Sequence, residues 1–113
     1  SYWIRETRIG PVTGTATKFG FSFPHVSIYL DIADEHGKVE NYVMSIRWTP
    51  TVLRKMGWSR KMIKPGDQVT VTYIPHKQRK TVGALTALKV NGKTVPINPV
   101  GSENEQAGNN DAT

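Results

Sequence analysis

GTATKFGFSFPHVSIYL, residues 14–30, decides the fold of this chain. It reads as two β-strands joined through a Phe23-Pro24-His25 corner. In the second half, Val26, Ile28, Leu30 and Ile32 recur at period 2 on one face. His25, Ser27, Tyr29 and Asp31 fall on the other. That alternation is the pattern of a half-buried strand. Pro24 has no N–H to give to a ladder, so it marks where the strand over residues 25–32 starts. Before it, residues 12–21 alternate Thr and Phe loosely, with Gly14 and Gly20 as expected bend or bulge points. Taken alone, the stretch specifies an antiparallel barrel or sandwich.

Working outward, Asp34-Glu35-His36-Gly37 is a turn, with Gly where a positive φ is often required. Residues 39–48 return as the hairpin partner. Thr49-Pro50 carries a helix start, a capping hydroxyl followed by proline at the first helical position. Val52, Leu53 and Met56 share one side of that short helix, and Gly57 is its natural stop. Ser59 can cap one further turn through residue 63. After the Lys64-Pro65-Gly66-Asp67 turn, residues 68–74 are rich in Val, Thr and Tyr and read as a strand. Residues 76–81 form a basic loop and 83–90 another strand. Asn91-Gly92 is a strong hairpin signal that returns residues 93–97. Three strands, a helix and two strands, with an extra short strand, is the order of a small OB-fold-like antiparallel Greek-key barrel of five to six strands.

The chain has 113 residues, and 37% of them are hydrophobic. We expect a single barrel domain over 12–99, an N-terminal extension over 1–11 that can supply an extra strand, and a disordered tail over 100–113, which lacks any apolar period. The net charge of +6 is uneven. Residues 1–100 hold 15 basic and 6 acidic groups, and residues 47–64 hold six basic and no acidic group. Such an excess favours anionic partners. There is no cysteine, so disulfides and thiolate metal sites are excluded. No apolar run approaches the ~18 residues of a membrane span.

Five segments together resemble the family of small exported bacterial proteins designated DUF6152. They are Gly14-Thr15-Ala16-Thr17-Lys18-Phe19, Phe23-Pro24-His25-Val26-Ser27-Ile28, Asp34-Glu35-His36-Gly37-Lys38, Leu53-Arg54-Lys55-Met56-Gly57-Trp58-Ser59 and Ile63-Lys64-Pro65-Gly66-Asp67-Gln68-Val69. The resemblance covers roughly residues 12–95. It implies an OB-like barrel working in the periplasm or outside the cell after removal of a signal peptide, and it supplies no activity. Two departures stand out. Phe23 replaces the asparagine usual before Pro-His, and the chain opens Ser1-Tyr2-Trp3-Ile4 where many members carry paired histidines.

His25, Tyr29, Arg47 and Trp48 are the expected ligand-binding residues, with Trp58 as core. The imidazole on the polar strand face can take a ligand, or else hold the backbone of the corner. The three histidines, His25, His36 and His76, share no metal-binding spacing, and we assign neither metal nor cofactor. No Gly-flanked nucleophilic serine and no phosphate-binding glycine pattern is present, so no catalytic residue is assigned. The function expected is a non-catalytic module that binds a small ligand or a partner protein on one barrel face. The alternatives are a single-stranded nucleic-acid-binding domain, supported by the basic body, and a structural subunit. In the last case Tyr2, Trp3 and Ile4 would contact a partner protein or a second copy through an added strand.

Overall fold

In the computed structural model, which describes residues 7–101, six strands and one short helix follow in the order β1 (Ile9–Phe21), β2 (Val26–Ala33), β3 (Val39–Ile46), α1 (Pro50–Lys55), β4 (Gln68–Pro75), β5 (Val82–Val90) and β6 (Lys93–Val95). Tyr2, Trp3 and Ile4 lie outside the described residues, as do residues 102–113.

The strands close into a five-membered ring in which β1 pairs with β2, β2 with β3, β3 with β5, β5 with β4 and β4 with β1. Four of these contacts are antiparallel. The fifth is parallel and short, joining Val43–Ser45 to Val82–Ala84. The sequence reading expects antiparallel pairing throughout. The parallel contact arises because the chain reaches β5 by way of the helix and β4, so β5 arrives pointing along β3.

β1 makes closure possible by serving two neighbours. Ile9 and residues 12–15 pair with β4, and residues 15–21 pair with β2, so that Thr15 is opposite both Gln68 and Asp31. Gly14 sits at this handover with the Asp31 carbonyl and the side chains of Ile32 and Leu30 where a Cβ would go. β1 begins at Ile9, three residues before the expected start. A register shift between Ile9 and Val12 accommodates Gly10, whose φ is +123°, and Pro11.

The period-2 pattern of β2 is obeyed in space. Val26, Ile28, Leu30 and Ile32 are buried, and Ser27, Tyr29 and Asp31 are half-buried on the outer face. Burial of branched side chains of this size stabilises by about 1.5–3 kcal/mol each. β3 contributes Met44 and Ile46 to the same core, β4 Val69, Val71 and Tyr73, and β5 Leu85 and Leu88.

The helix forms where its caps dictate. The Thr49 hydroxyl accepts from the Val52 N–H at 3.4 Å, Pro50 occupies the first turn, and Gly57 at φ +97° ends it. Leu53, Trp58 and Ile63 carry this segment into the core. Ser59 starts a single turn, closed by the Met62 N–H to the Ser59 carbonyl at 3.2 Å, with no further helix. Asn91 and Gly92, both at positive φ, make the β5–β6 hairpin turn expected of an Asn-Gly pair.

Candidate binding surface

The β1–β2 corner is exposed from Ser22 to His25, and Phe23 at its tip is 64% exposed. The strand ladder sets its neighbours. Phe21 pairs with Val26, and Val26 pairs with Ile46, so these three residues form a row across β1, β2 and β3. The same β2–β3 register, carried one step past its last pair, sets His25 opposite Arg47.

Both arginines at this end lie over aromatic rings. The Arg47 guanidinium is 4.8 Å from the centroid of the Trp48 ring, and the Arg54 guanidinium is 5.2 Å from that of Phe21. Phe21 is the last residue of β1 before the corner and Ile46 the last of β3, so Arg54 lies on the residue that ends β1 and Arg47 follows the residue that ends β3. A guanidinium laid on a ring keeps its N–H donors at its edges, where a carboxylate or phosphate can accept them.

Trp48 is half-buried, and its indole N–H donates to Asn98 Oδ1 at 3.0 Å. This bond faces the indole toward the C-terminal segment. Tyr29 sits elsewhere. It pairs with Lys18 and Val43, four residues along β2 from His25, or ~13 Å at the rise of a strand. There it receives Lys18 Nζ at 5.4 Å from its ring centroid. Beside it, Asn41 Nδ2 donates to Asp31 Oδ1 at 2.8 Å and to Thr17 Oγ1 at 3.1 Å. Of the four expected ligand residues, His25, Arg47 and Trp48 thus gather at one end, and Tyr29 lies in a second patch on the same sheet face.

Three residues of this surface carry little signal of a binding role in the sequence. Arg54 was visible only as one of six cations in the basic stretch. Asn98 stands between Pro96 and Pro99, which read only as the end of order, although a polar residue framed by prolines is a hint of a fixed contact. Lys18 could have been found from the β1–β2 register.

Three of the described carboxylates, Asp34, Glu40 and Asp67, are engaged away from the corner. Glu40 Oε1 meets Lys80 Nζ at 2.8 Å, and the lysine's hydrogen bond lowers the Glu40 pKa while the carboxylate raises that of Lys80. Asp34 accepts from the N–H groups of His36 and Lys38. Asp67 accepts from the Lys64 N–H at 2.9 Å, which lowers its pKa. Among the described residues neither Arg47, Arg54 nor Lys55 has a carboxylate partner. Also among the described residues, no three His, Cys, Asp or Glu side chains converge to hold a metal ion, and no helix is long and apolar enough to cross a membrane. His25 lies at the corner, His36 in the β2–β3 turn, and His76 just past β4 with its Nδ1 accepting from the Gln78 N–H.

A model described as a family of unknown function (DUF6152) matches residues 5–86. No curated protein and no solved structure matches the chain.

Proposed function

The chain belongs to the family of unknown function DUF6152, and on that premise we propose that it is a non-catalytic binding or accessory module that recognises anionic groups with Arg47, Arg54 and the Phe23–His25 corner. The observation that carries this reading is the state of Arg47 and Arg54. Each is spread over an aromatic ring, and among the described residues neither is neutralised by a carboxylate. Holding a cation ready without a partner leaves the electrostatic gain to be collected from a ligand. An acidic small molecule or the acidic face of a partner protein satisfies that chemistry. The ring order β1-β2-β3-β5-β4, with the helix between β3 and β4, supports describing the barrel as OB-like. We place its working compartment in the periplasm or outside the cell, following the expectation attached to the family's sequence pattern; fractionation of the native cells tests this.

The test of the site is NMR shift mapping with tripolyphosphate and with an Asp/Glu-rich peptide at low ionic strength. The expected result is perturbation of residues 23–25, 47, 48 and 54, lost in the Arg47→Ala/Arg54→Ala double variant. Perturbation centred on the Lys77–Lys80 loop, or none at all, overturns the reading.

A single-stranded oligonucleotide is the second reading, favoured by the exposed Phe23 ring two residues after Phe21, on which Arg54 lies, since a base could stack on such a ring. It predicts binding that weakens steeply with salt and a length requirement of several nucleotides. Tripolyphosphate competing as well as the oligonucleotide would reject it.

A further inference from the structure

Behind the Arg47–Trp48 pair lies a groove that the corner does not use. It runs between α1 and the C-terminal segment, is open to solvent on one side with a volume of about 390 Å³, and is lined by Val52, Lys55, Met56, Pro96, Asn98 and Val100, together with Pro99. That volume is of the size that takes small organic ligands. The walls are chiefly apolar, and Val100 at the edge is 94% exposed. A valine left almost wholly in water beside an apolar groove has burial still to gain if something settles there.

The charged group in the lining is a cation. Lys55 lines the groove, and among the described residues it has no carboxylate partner. Arg47 is linked to the lining through Trp48. Its guanidinium lies on the Trp48 ring, and the Trp48 indole is held by Asn98, itself a lining residue. Among the described residues no aspartate or glutamate lines the groove. Apolar walls with an unpartnered cation at the mouth are complementary to a molecule with an apolar body and one acidic head.

We propose that the groove between α1 and residues 96–100 binds a small amphiphilic anion, with its acidic head toward Lys55 and Arg47 and its apolar body along Val52, Met56 and Val100. This deepens the reading given above at Arg47 and rests on it. The occupant is a free, monomeric carboxylate of medium chain length. The groove is concave and of small-molecule size, which suits a single chain better than the plane of a bilayer.

The test titrates the full chain with sodium carboxylates from butanoate to decanoate, kept below their aggregation concentrations, and with the corresponding uncharged alcohols. Shifts are followed at Val52, Lys55, Met56 and Val100. The expected result is affinity rising about fourfold per added methylene until the groove is filled, with each alcohol bound at least fivefold more weakly than its carboxylate. Lys55→Gln, a change at an exposed position, is expected to weaken the carboxylates and leave the alcohols unchanged. Affinity independent of chain length, or alcohols binding as well as carboxylates, overturns the proposal. So do binding to anionic vesicles with none to monomers, contacts from residues beyond 101 to Val52 and Met56, and loss of the groove signals into a concentration-dependent dimer. If tripolyphosphate still perturbs residues 23–25 and 54 while carboxylates show no chain-length gain, the groove proposal fails and the corner stands. If neither probe perturbs the protein, both fail.

Discussion

The indole N–H of Trp58 donates to the main-chain carbonyl of Pro96 at 2.8 Å, across 38 residues of sequence. The ring is 3% exposed and lies 6.1 Å from Phe19, centroid to centroid. One side chain thus joins the segment after α1 to the strand that opens the barrel and to the segment that follows β6. Trp58→Ala is expected to cost about 3–5 kcal/mol through the cavity it leaves. Trp58→Phe keeps much of the volume and drops the donor, so a loss of about 1 kcal/mol from the hydrogen bond is expected, with a smaller packing term. Urea denaturation of the two variants checks this order.

Gly83 stands at the parallel junction of β5 with β3, opposite Met44. A Cβ there would run into the ring of Tyr73 and come within 2.9 Å of the Met44 sulfur. Tyr73 and Met44 are both buried, so neither can swing away into solvent. Gly83→Ala is expected to destabilise by about 1–3 kcal/mol, as overpacking does. Gly20→Ala is the comparison, because the nearest atom to a Cβ at Gly20 is the Ser27 carbonyl oxygen at 3.9 Å. It is expected to stay within about 0.5 kcal/mol of the parent. Equal losses in thermal unfolding would remove the role given to Gly83.

The fold was legible where the signal is local. The alternation of Val26, Ile28, Leu30 and Ile32 assigned the inner face of β2. Thr49-Pro50 and Gly57 bounded the helix segment, and Asn91-Gly92 placed the last hairpin. What was hidden depends on pairing between distant parts of the chain. Gly10 and Pro11 look like a break, and only the β4 partner turns them into a bulge inside β1. The parallel contact of Val43–Ser45 with Val82–Ala84 leaves no mark in either strand alone. The same holds for the surface. His25 and Arg47 could be matched from a hairpin register, because residues 34–37 fix the turn. The Trp48–Asn98 bond spans 50 residues, so nothing in the sequence near Trp48 announces which way its indole faces.

Asp67 gives stability a pH dependence of known sign. Its carboxylate accepts from the Lys64 N–H, and this bond holds its pKa below the ordinary 3.8. The turn it braces is pinned to β1 by the Ala16 N–H to the Asp67 carbonyl and the Gly66 N–H to the Ala16 carbonyl, both at 2.8 Å. A carboxylate with a lowered folded pKa contributes fully above its unfolded value, and the contribution is lost as pH falls through the folded value. Asp67→Asn removes the charge and keeps an acceptor. The stability gap between parent and variant is expected to be constant from about pH 6 to 5, to narrow as pH drops past 3.8, and to close at lower pH. Denaturation midpoints measured across that range check it, and a gap that widens on acidification would contradict the assignment.

Arg47 and Arg54 are expected to separate binding from stability. Both are exposed, and each contributes a ring contact worth about 0.5–1 kcal/mol. Replacing either with alanine should therefore lower stability by no more than about that amount. Binding of a polyanion draws on the same guanidinium edges, and a charge-assisted hydrogen bond there is worth about 1.5–3 kcal/mol. Each single variant is expected to weaken tripolyphosphate binding by roughly tenfold or more and to flatten its salt dependence. Arg→Lys at the same positions keeps the charge and gives up the planar fork. If the fork matters, Arg47→Lys and Arg54→Lys will lose affinity while the salt dependence stays close to that of the parent. If lysine restores affinity fully, charge alone suffices and the stacking on Trp48 and Phe21 is incidental to binding. Isothermal titration at two salt concentrations, run beside urea melts of the same four variants, distinguishes the two cases.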